Sequence, residues 1–125
     1  IQRACRGHPI LSALINDFRE AVHLSPHRMS KRLNLSLADF ERLARLNRNR
    51  FARPESPAVQ ARLEPIAQIL GKAEVLAGDA NRAIVWFRHQ PLPGHDGRTA
   101  RDLVEADASD AVLDYLEDLL DGAYA

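Results

Sequence analysis

The stretch SPAVQARLEPIAQILGKAEVLAGD, residues 56–79, has the clearest periodicity in the chain. Its apolar residues recur in alternating steps of four and three, at Val59, Leu63, Ile66, Leu70 and Ala73. This spacing places them on one face, so the stretch predicts a long helix that packs against a core. Ser56 with Pro57 begins the helix and Gly78 ends it. Pro65 lacks a backbone donor, which predicts a kink or two abutting helices.

The same spacing appears on both sides of this stretch, and no long Val, Ile or Thr alternation is present. The fold class predicted is therefore all-α, with a helix-turn-helix-containing N-terminal bundle and a small C-terminal helical domain. We divide the chain into residues 1–55, 56–78 and 79–125. The other predicted apolar stripes are Leu11, Leu14, Ile15, Phe18 and Val22; Leu37, Phe40, Leu43 and Ala44; and Val112, Leu113, Leu116, Leu119 and Leu120.

The charge of the chain is zero overall but divided between two halves. Residues 1–53 hold 11 Lys/Arg and 4 Asp/Glu, whereas residues 54–125 hold 6 and 13. The first half is thus at +7 and the second at −7. Such asymmetry indicates two different partners, one of them a polyanion. The alternative is solvated surface on both halves, with no partner for either.

The basic stretch RLARLNRNRFARP, residues 42–54, contains five arginines and no acid. We predict a helix-turn-helix with its first helix over about 37–44, a turn over 45–47, and a second helix from Arg48 to before Pro54. An alternative register uses residues 28–33 and 37–46 as the two helices. The recognition helix of this motif enters the major groove by its N-terminal end. The predicted DNA-binding residues are Arg42, Arg45, Asn47, Arg48, Asn49, Arg50 and Arg53.

These residue types suit two kinds of DNA contact. Arg48, Asn49 and Arg50 would meet base edges, since Arg donates in pairs to guanine and Asn pairs with adenine. Phosphates would be bound by Arg42, Arg45 and Arg53, which gives affinity without sequence information. Asn47 would cap the second helix.

Catalytic and membrane functions find no support in the sequence. The five histidines fall in no metal-ligand spacing, and Cys5 has no partner motif. We therefore predict no enzyme activity, no metal and no cofactor. A single cysteine, with neither a secretory signal nor a long apolar run, predicts a cytoplasmic protein.

The stretch RAIVWFRHQPLPGHDGRTARDLVEADASDAVLDYLEDLLDGAYA, residues 82–125, resembles the toxin-binding domain of Xre/MbcA/ParS antitoxins. That domain has a Trp-bearing helix, a Pro/Gly loop ending in Gly-Arg-Thr, and a final amphipathic helix closing on Gly-x-Tyr/Phe-Ala. Here the matching residues are Trp86, Gly97-Arg98-Thr99, Leu103 and the segment from Gly122 to Ala125. Upstream, RPESPAVQARLEPIAQIL and RLARLNRNRF also look like members with an N-terminal helix-turn-helix.

The resemblance implies a type II antitoxin whose partner is a RES-domain toxin that destroys NAD⁺. It further implies that the antitoxin occludes the toxin active site, represses its own operon by binding operator DNA, and forms a homodimer. The acidic half suits a pocket that binds a pyrophosphate. The predicted toxin-binding residues are Trp86, Arg88, Arg98, Asp118, Asp121, Gly122, Ala123, Tyr124 and Ala125. A stand-alone helix-turn-helix repressor with a C-terminal dimerisation domain is the alternative.

Several roles stay open at the level of sequence. Trp86 belongs either to the core or to an interface. Arg98 either contacts the toxin or braces its own loop by binding backbone carbonyls. Leucines of the last helix pack inside the domain or form a dimer seam, and we hypothesise that the terminal DGAYA segment inserts into the toxin pocket.

Overall fold

The computed structural model of the chain describes residues 13–20 and 22–123. This part of the protein is all-α, as the periodicity predicts, and it also contains one short two-stranded hairpin that was not predicted. The α-helices are α1 (Ala13–Phe18), α2 (Pro26–Arg32), α3 (Leu37–Ala44), α4 (Pro57–Ala77), α5 (Ala80–His89), α6 (Ala100–Glu105) and α7 (Ser109–Ala123). A 3₁₀-helix, η1, spans Arg48–Ala52, and the antiparallel strands are β1 (Arg19–Glu20) and β2 (His23–Leu24).

Helix α4 lies at the centre and contacts α1, α3, α5, α7 and β2. One continuous core therefore includes residues from Leu14 to Leu116. The predicted stripe of α4 is confirmed, because all five of its residues are buried. Pro65 lies inside a single helix, so the expectation of two abutting helices is wrong. Buried side chains on both sides of Pro65, such as Leu63 and Ile66, hold the helix together despite the missing donor.

Both ends of α4 form as predicted. Ser56 Oγ accepts a hydrogen bond from the Val59 amide at 3.2 Å, which satisfies one unpaired donor of the first turn. Gly78 ends the helix with φ +74°, a left-handed conformation that favours glycine. Asp79 then caps α5 by accepting from the Asn81 amide at 3.0 Å.

The first predicted stripe is correct only in part. Leu14, Ile15 and Phe18 are buried, but Val22 is 89% exposed. Helix α1 ends at Phe18 and the chain continues into the hairpin, so the helical spacing no longer applies at Val22. Leu11, Pro9 and Cys5 lie outside the described residues.

The last two helices complete the core. Thr99 and Asp102 form a capping box at the start of α6, with reciprocal bonds of 3.1 and 3.0 Å. In α7, Val112 and Leu116 are buried and Leu113 packs against the core, so these three residues serve internal packing. Leu119, also in the predicted stripe, is 42% exposed. Among the described residues, no helix is long and apolar enough to cross a membrane.

Candidate nucleic-acid and partner-binding surfaces

Helices α2 and α3 are joined by four residues, 33–36. Asn34 adopts φ +59°, a left-handed conformation that asparagine tolerates better than most residues. The Leu35 amide donates to Ser30 O at 2.8 Å, and Ser36 Oγ caps α3 by accepting from the Asp39 amide at 3.0 Å. Two helices joined by a turn this short have the connectivity of a helix-turn-helix.

The two helices bury one side and expose the other. The large buried side chains of this pair and its turn include Met29, Leu33, Leu35, Phe40 and Leu43. Arg28 and Lys31 are exposed on α2, and Ala38 and Arg42 are exposed on α3. The alternative register, with helices over 28–33 and 37–46, therefore agrees with the observed helices more closely than the pairing of 37–44 with a helix from Arg48.

The second helix that we predicted from Arg48 is η1, a 3₁₀-helix of five residues. Asn47 caps it as predicted, because its Oδ1 accepts from the Arg50 amide at 3.3 Å. Phe51 is buried and Pro54 follows closely, which leaves no room for an α-helix. The segment thus forms a tight basic turn after α3.

The seven predicted DNA-binding residues differ in how they are paired. Arg42 forms an ion pair with Asp39, and Arg48 forms one with Glu41 at 2.5 Å. In the described part of the chain, the exposed Asn47 caps η1, whereas Asn49, Arg50 and Arg53 are exposed and form neither an ion pair nor a side-chain hydrogen bond. These last side chains keep all their donors available for a ligand.

A basic groove of about 390 Å³ lies between the turn after α3 and the first turns of α4. We call it the arginine groove; its lining residues are Arg45, Leu46, Asn47, Arg50, Ala58 and Arg62. Arg62 was not among the residues predicted from the sequence, because it lies in α4, outside the basic stretch. Its Nε donates to Ala44 O at 3.0 Å, which satisfies a carbonyl at the C-terminal end of α3.

An acidic side chain from the C-terminal half reaches the arginine groove. Asp107 lies 3.9 Å from Arg45 Nε and 3.6 Å from Arg62 Nη2. Arg45 Nη1 also donates to Glu105 O at 3.3 Å. Asp107, in the turn between α6 and α7, has φ +64°. Two of the three groove arginines are therefore bound by the half of the chain that carries the negative charge.

Trp86 lies partly in the core and partly at the surface, so both alternatives that the sequence left open apply to it. It is half-buried and packs against the core, while it also lines a shallow surface groove together with Val85, which is 58% exposed. The remaining lining residues are Asn81, Arg82, His89 and Gln90. One side of the indole thus stays available on the outer face of α5.

Arg88, predicted as a toxin contact, points toward the turn between α2 and α3. Its Nη1 lies within hydrogen-bonding distance of Leu33 O at 3.5 Å and Asn34 O at 3.4 Å. Its Nε is buried and has no hydrogen-bond partner among the described residues. The guanidinium therefore connects the C-terminal half to the left-handed turn that orients α3.

Arg98 braces its own loop. Its Nε donates to His95 O at 3.3 Å, and its carbonyl accepts from the Leu92 amide at 2.9 Å. This contact agrees with the second of the two roles considered for Arg98, although the side chain remains exposed.

The acidic surface is smaller than the composition suggests. Glu105 pairs with Arg101 at 3.1 Å and Glu117 with Lys72 at 2.6 Å, so these charges serve the fold. The acids of α7 that are exposed and form no ion pair with any described residue are Asp110, Asp114 and Asp118. They are spaced four residues apart, which places them along one side of the helix. We call these three residues the acidic stripe.

The end of α7 carries the remaining predicted toxin contacts. Asp121 and Gly122 are exposed, and the helix continues through Gly122 to Ala123 rather than ending at the glycine. Tyr124 and Ala125 lie outside the described residues, so the tail-insertion hypothesis stays a prediction.

Comparison of the chain with protein-family models, curated proteins and solved structures found no match. Among residues 13–20 and 22–123, no group of three His, Cys, Asp or Glu side chains is placed to hold a metal ion.

Proposed function

We propose that this protein is the antitoxin of a type II toxin–antitoxin system, which binds operator DNA through α2 and α3 and a RES-domain toxin through its C-terminal helices. The observation that carries the proposal is the pair of serine-capped helices joined by the left-handed Asn34 turn. Four cations that pair with no described acid lie on α2 or follow α3, namely Arg28, Lys31, Arg50 and Arg53, and the acidic stripe lies on the last helix.

DNA binding is supported by the distribution of free cations. Arg28 and Lys31 are three residues apart on α2, so they extend from the same side of the helix. Arg50 and Arg53 follow α3, and none of these four pairs with an acid in the described part of the chain. Cations on the first helix and after the second are suited to phosphates on either side of a helix in the major groove.

Toxin binding is supported by the acidic stripe and by the resemblance of residues 82–125 to the antitoxin family. A toxin pocket that binds the pyrophosphate of NAD⁺ needs positive charge. Exposed carboxylates on α7 would attract such a surface and accelerate association. The half-buried Trp86 beside the exposed Val85 offers apolar contact area nearby in sequence. We propose a homodimer, since helix-turn-helix proteins bind paired half-sites as dimers.

Co-expression with the RES-type gene product from the same operon tests the proposal. We expect the two chains to co-purify, NAD⁺ consumption by the toxin to stop, and the complex to shift DNA from the upstream region. The double variant Asp114→Asn/Asp118→Asn should associate several-fold more slowly at low salt, with little difference at high salt. Glu64→Gln, an exposed acid on α4, is the matched control and should leave the rate unchanged.

Two outcomes decide between this proposal and its alternative. Specific DNA binding without any toxin partner would favour a stand-alone repressor, with α5 to α7 serving dimerisation. Toxin binding that is insensitive to salt and to the two Asn substitutions would contradict the acidic stripe as the contact surface.

A further inference from the structure

We propose that the arginine groove binds one phosphate of the DNA backbone and that Asp107 competes with this phosphate for the same arginines. The inference rests on the proposed DNA-binding function and adds a specific phosphate site and its internal competitor. Neither Arg62 nor Asp107 belongs to the basic stretch that suggested a nucleic-acid partner.

The groove has the donors that a phosphodiester requires. It brings together the guanidinium groups of Arg45, Arg50 and Arg62. Each guanidinium carries five N–H donors in a planar arrangement that matches two phosphate oxygens. Arg50 uses none of its side-chain donors on a described acid, so it is free to bind. Ala58 places the groove beside the first turn of the 21-residue helix α4, whose positive N-terminal end also favours an anion.

Two of the three arginines are already oriented. Arg62 Nε is held by Ala44 O at 3.0 Å, and Arg45 Nη1 is held by Glu105 O at 3.3 Å. Both partners are backbone carbonyls, which fix direction without neutralising charge. Orientation before binding reduces the ordering of side chains that a ligand must impose. Each arginine still has donors left for a phosphate.

Asp107 holds these donors only weakly. Its carboxylate lies 3.9 Å from Arg45 Nε and 3.6 Å from Arg62 Nη2, beyond the usual length of a charge-assisted hydrogen bond. The Asp107 side chain is 63% exposed. A phosphate that approaches closer than this would replace the carboxylate. Asp107 therefore lowers the affinity of the groove for DNA. It lies in the exposed turn between α6 and α7, which a bound partner protein can reach.

The experiment measures binding of the full chain to duplex DNA of its upstream region and to a scrambled duplex, over a range of salt concentrations. Arg50→Ala should weaken binding to both duplexes equally and lower the salt slope by about 1, as expected for the loss of one phosphate contact. Arg62→Lys should weaken binding less than Arg62→Ala, since Lys keeps the charge but not the planar donors. Arg82→Ala, an exposed arginine on α5, is the control and should change nothing.

Asp107→Asn tests the competition. Asn is tolerated at φ +64° at least as well as Asp, so the variant should fold normally. We expect it to bind both duplexes about twofold to tenfold more tightly, because the competing charge is gone. Asp96→Asn is the matched control, since Asp96 also has positive φ but lies outside the groove. Circular dichroism of every variant excludes unfolding as the cause of a change.

The possible outcomes separate this inference from the proposed function. If the wild-type chain binds neither duplex, the proposed DNA-binding function fails and the inference fails with it. If the wild type binds DNA while the Arg62 variants and Asp107→Asn behave like wild type, only the phosphate site is refuted. A loss in Arg50→Ala confined to the specific duplex, with the salt slope unchanged, would assign Arg50 to a base edge and also refute the site.

Discussion

Arg88 gives the sharpest test of how the two halves of this protein are connected, because its sequence context and its contacts imply different roles. The resemblance places it among toxin contacts, whereas its Nη1 lies 3.5 Å from Leu33 O and 3.4 Å from Asn34 O. The change to make is Arg88→Met, which keeps an apolar stem of similar length and removes the donors. If Arg88 stabilises the Asn34 turn, the variant should have lower stability and weaker DNA binding. If Arg88 contacts only the toxin, the variant should show neither effect.

The expected magnitude follows from the geometry. Hydrogen bonds from a charged donor contribute about 1.5–3 kcal/mol, but these two are long and share one nitrogen, so their combined contribution is about 1–2 kcal/mol. The variant also removes Arg88 Nε, which is buried and has no hydrogen-bond partner among the described residues. Removing this group stabilises the fold and offsets part of the loss. The net loss is then about 1 kcal/mol. For 125 residues, this corresponds to a decrease in Tm of about 3–5 °C.

The assays are thermal unfolding followed by circular dichroism, DNA binding by fluorescence anisotropy, and toxin inhibition measured as NAD⁺ consumption. For the unfolding and DNA-binding assays, Arg82→Met on the same helix is the control, since Arg82 is exposed and lies 4.0 Å from Asp79. We expect Arg88→Met to weaken DNA binding about twofold to tenfold by loosening the Asn34 turn. A variant with unchanged Tm and unchanged DNA affinity that no longer inhibits the toxin would refute the bracing role.

Two further predictions concern stability and the proposed recognition helix. Pro65→Ala should raise the free energy of unfolding by about 1–2 kcal/mol, because alanine restores a helical hydrogen bond inside α4. Chemical denaturation measures this change. A lower free energy of unfolding in the variant would show that Pro65 is needed for packing. Ser36→Ala removes the cap of α3, so it should destabilise the protein by about 1 kcal/mol and also weaken DNA binding. Ser56→Ala removes the cap of α4 instead, so it should destabilise the protein by a similar amount and leave DNA binding unchanged. Equal effects of the two cap variants on DNA affinity would count against α3 as the recognition helix.

Much of the fold was predictable because its signals are local. The stripe from Val59 to Ala73, the Gly78 stop and the Thr99–Asp102 capping box each depend on residues within a few turns of one another. The predicted burial of Val22 is wrong because the first helix ends at Phe18, and apolar spacing alone does not mark where a helix ends. Of the two alternatives predicted at Pro65, two abutting helices is wrong, since packing of α4 on several elements outweighs the local backbone defect and keeps one helix.

The candidate surfaces were less predictable because they depend on contacts between distant residues. Arg62 joins the groove across the α3–α4 boundary, and Asp107 reaches it from the turn between α6 and α7. Likewise, no sequence pattern indicates that Arg88 reaches the Leu33 carbonyl, 55 positions away. Composition counts every charge equally. In the structure, Glu105 and Glu117 form ion pairs with Arg101 and Lys72, whereas the acidic stripe stays exposed.

The internal use of these charges bears on how the two halves act together. In the described part of the chain, the polar contacts between the C-terminal helices and α3 with its flanking turns include Arg88 with the Asn34 turn, Arg101 with Asp39, Arg45 with the Glu105 carbonyl, and Asp107 with the arginine groove. A partner that displaces α6 or its following turn would therefore change both the orientation of α3 and the charge of the groove. Under the proposed function, the weak ion pairs of Asp107 with Arg45 and Arg62 would make the binding of DNA depend on the binding of the toxin. If this coupling exists, toxin binding must change DNA affinity in the wild type and change it less in Asp107→Asn, and equal changes in both would refute it.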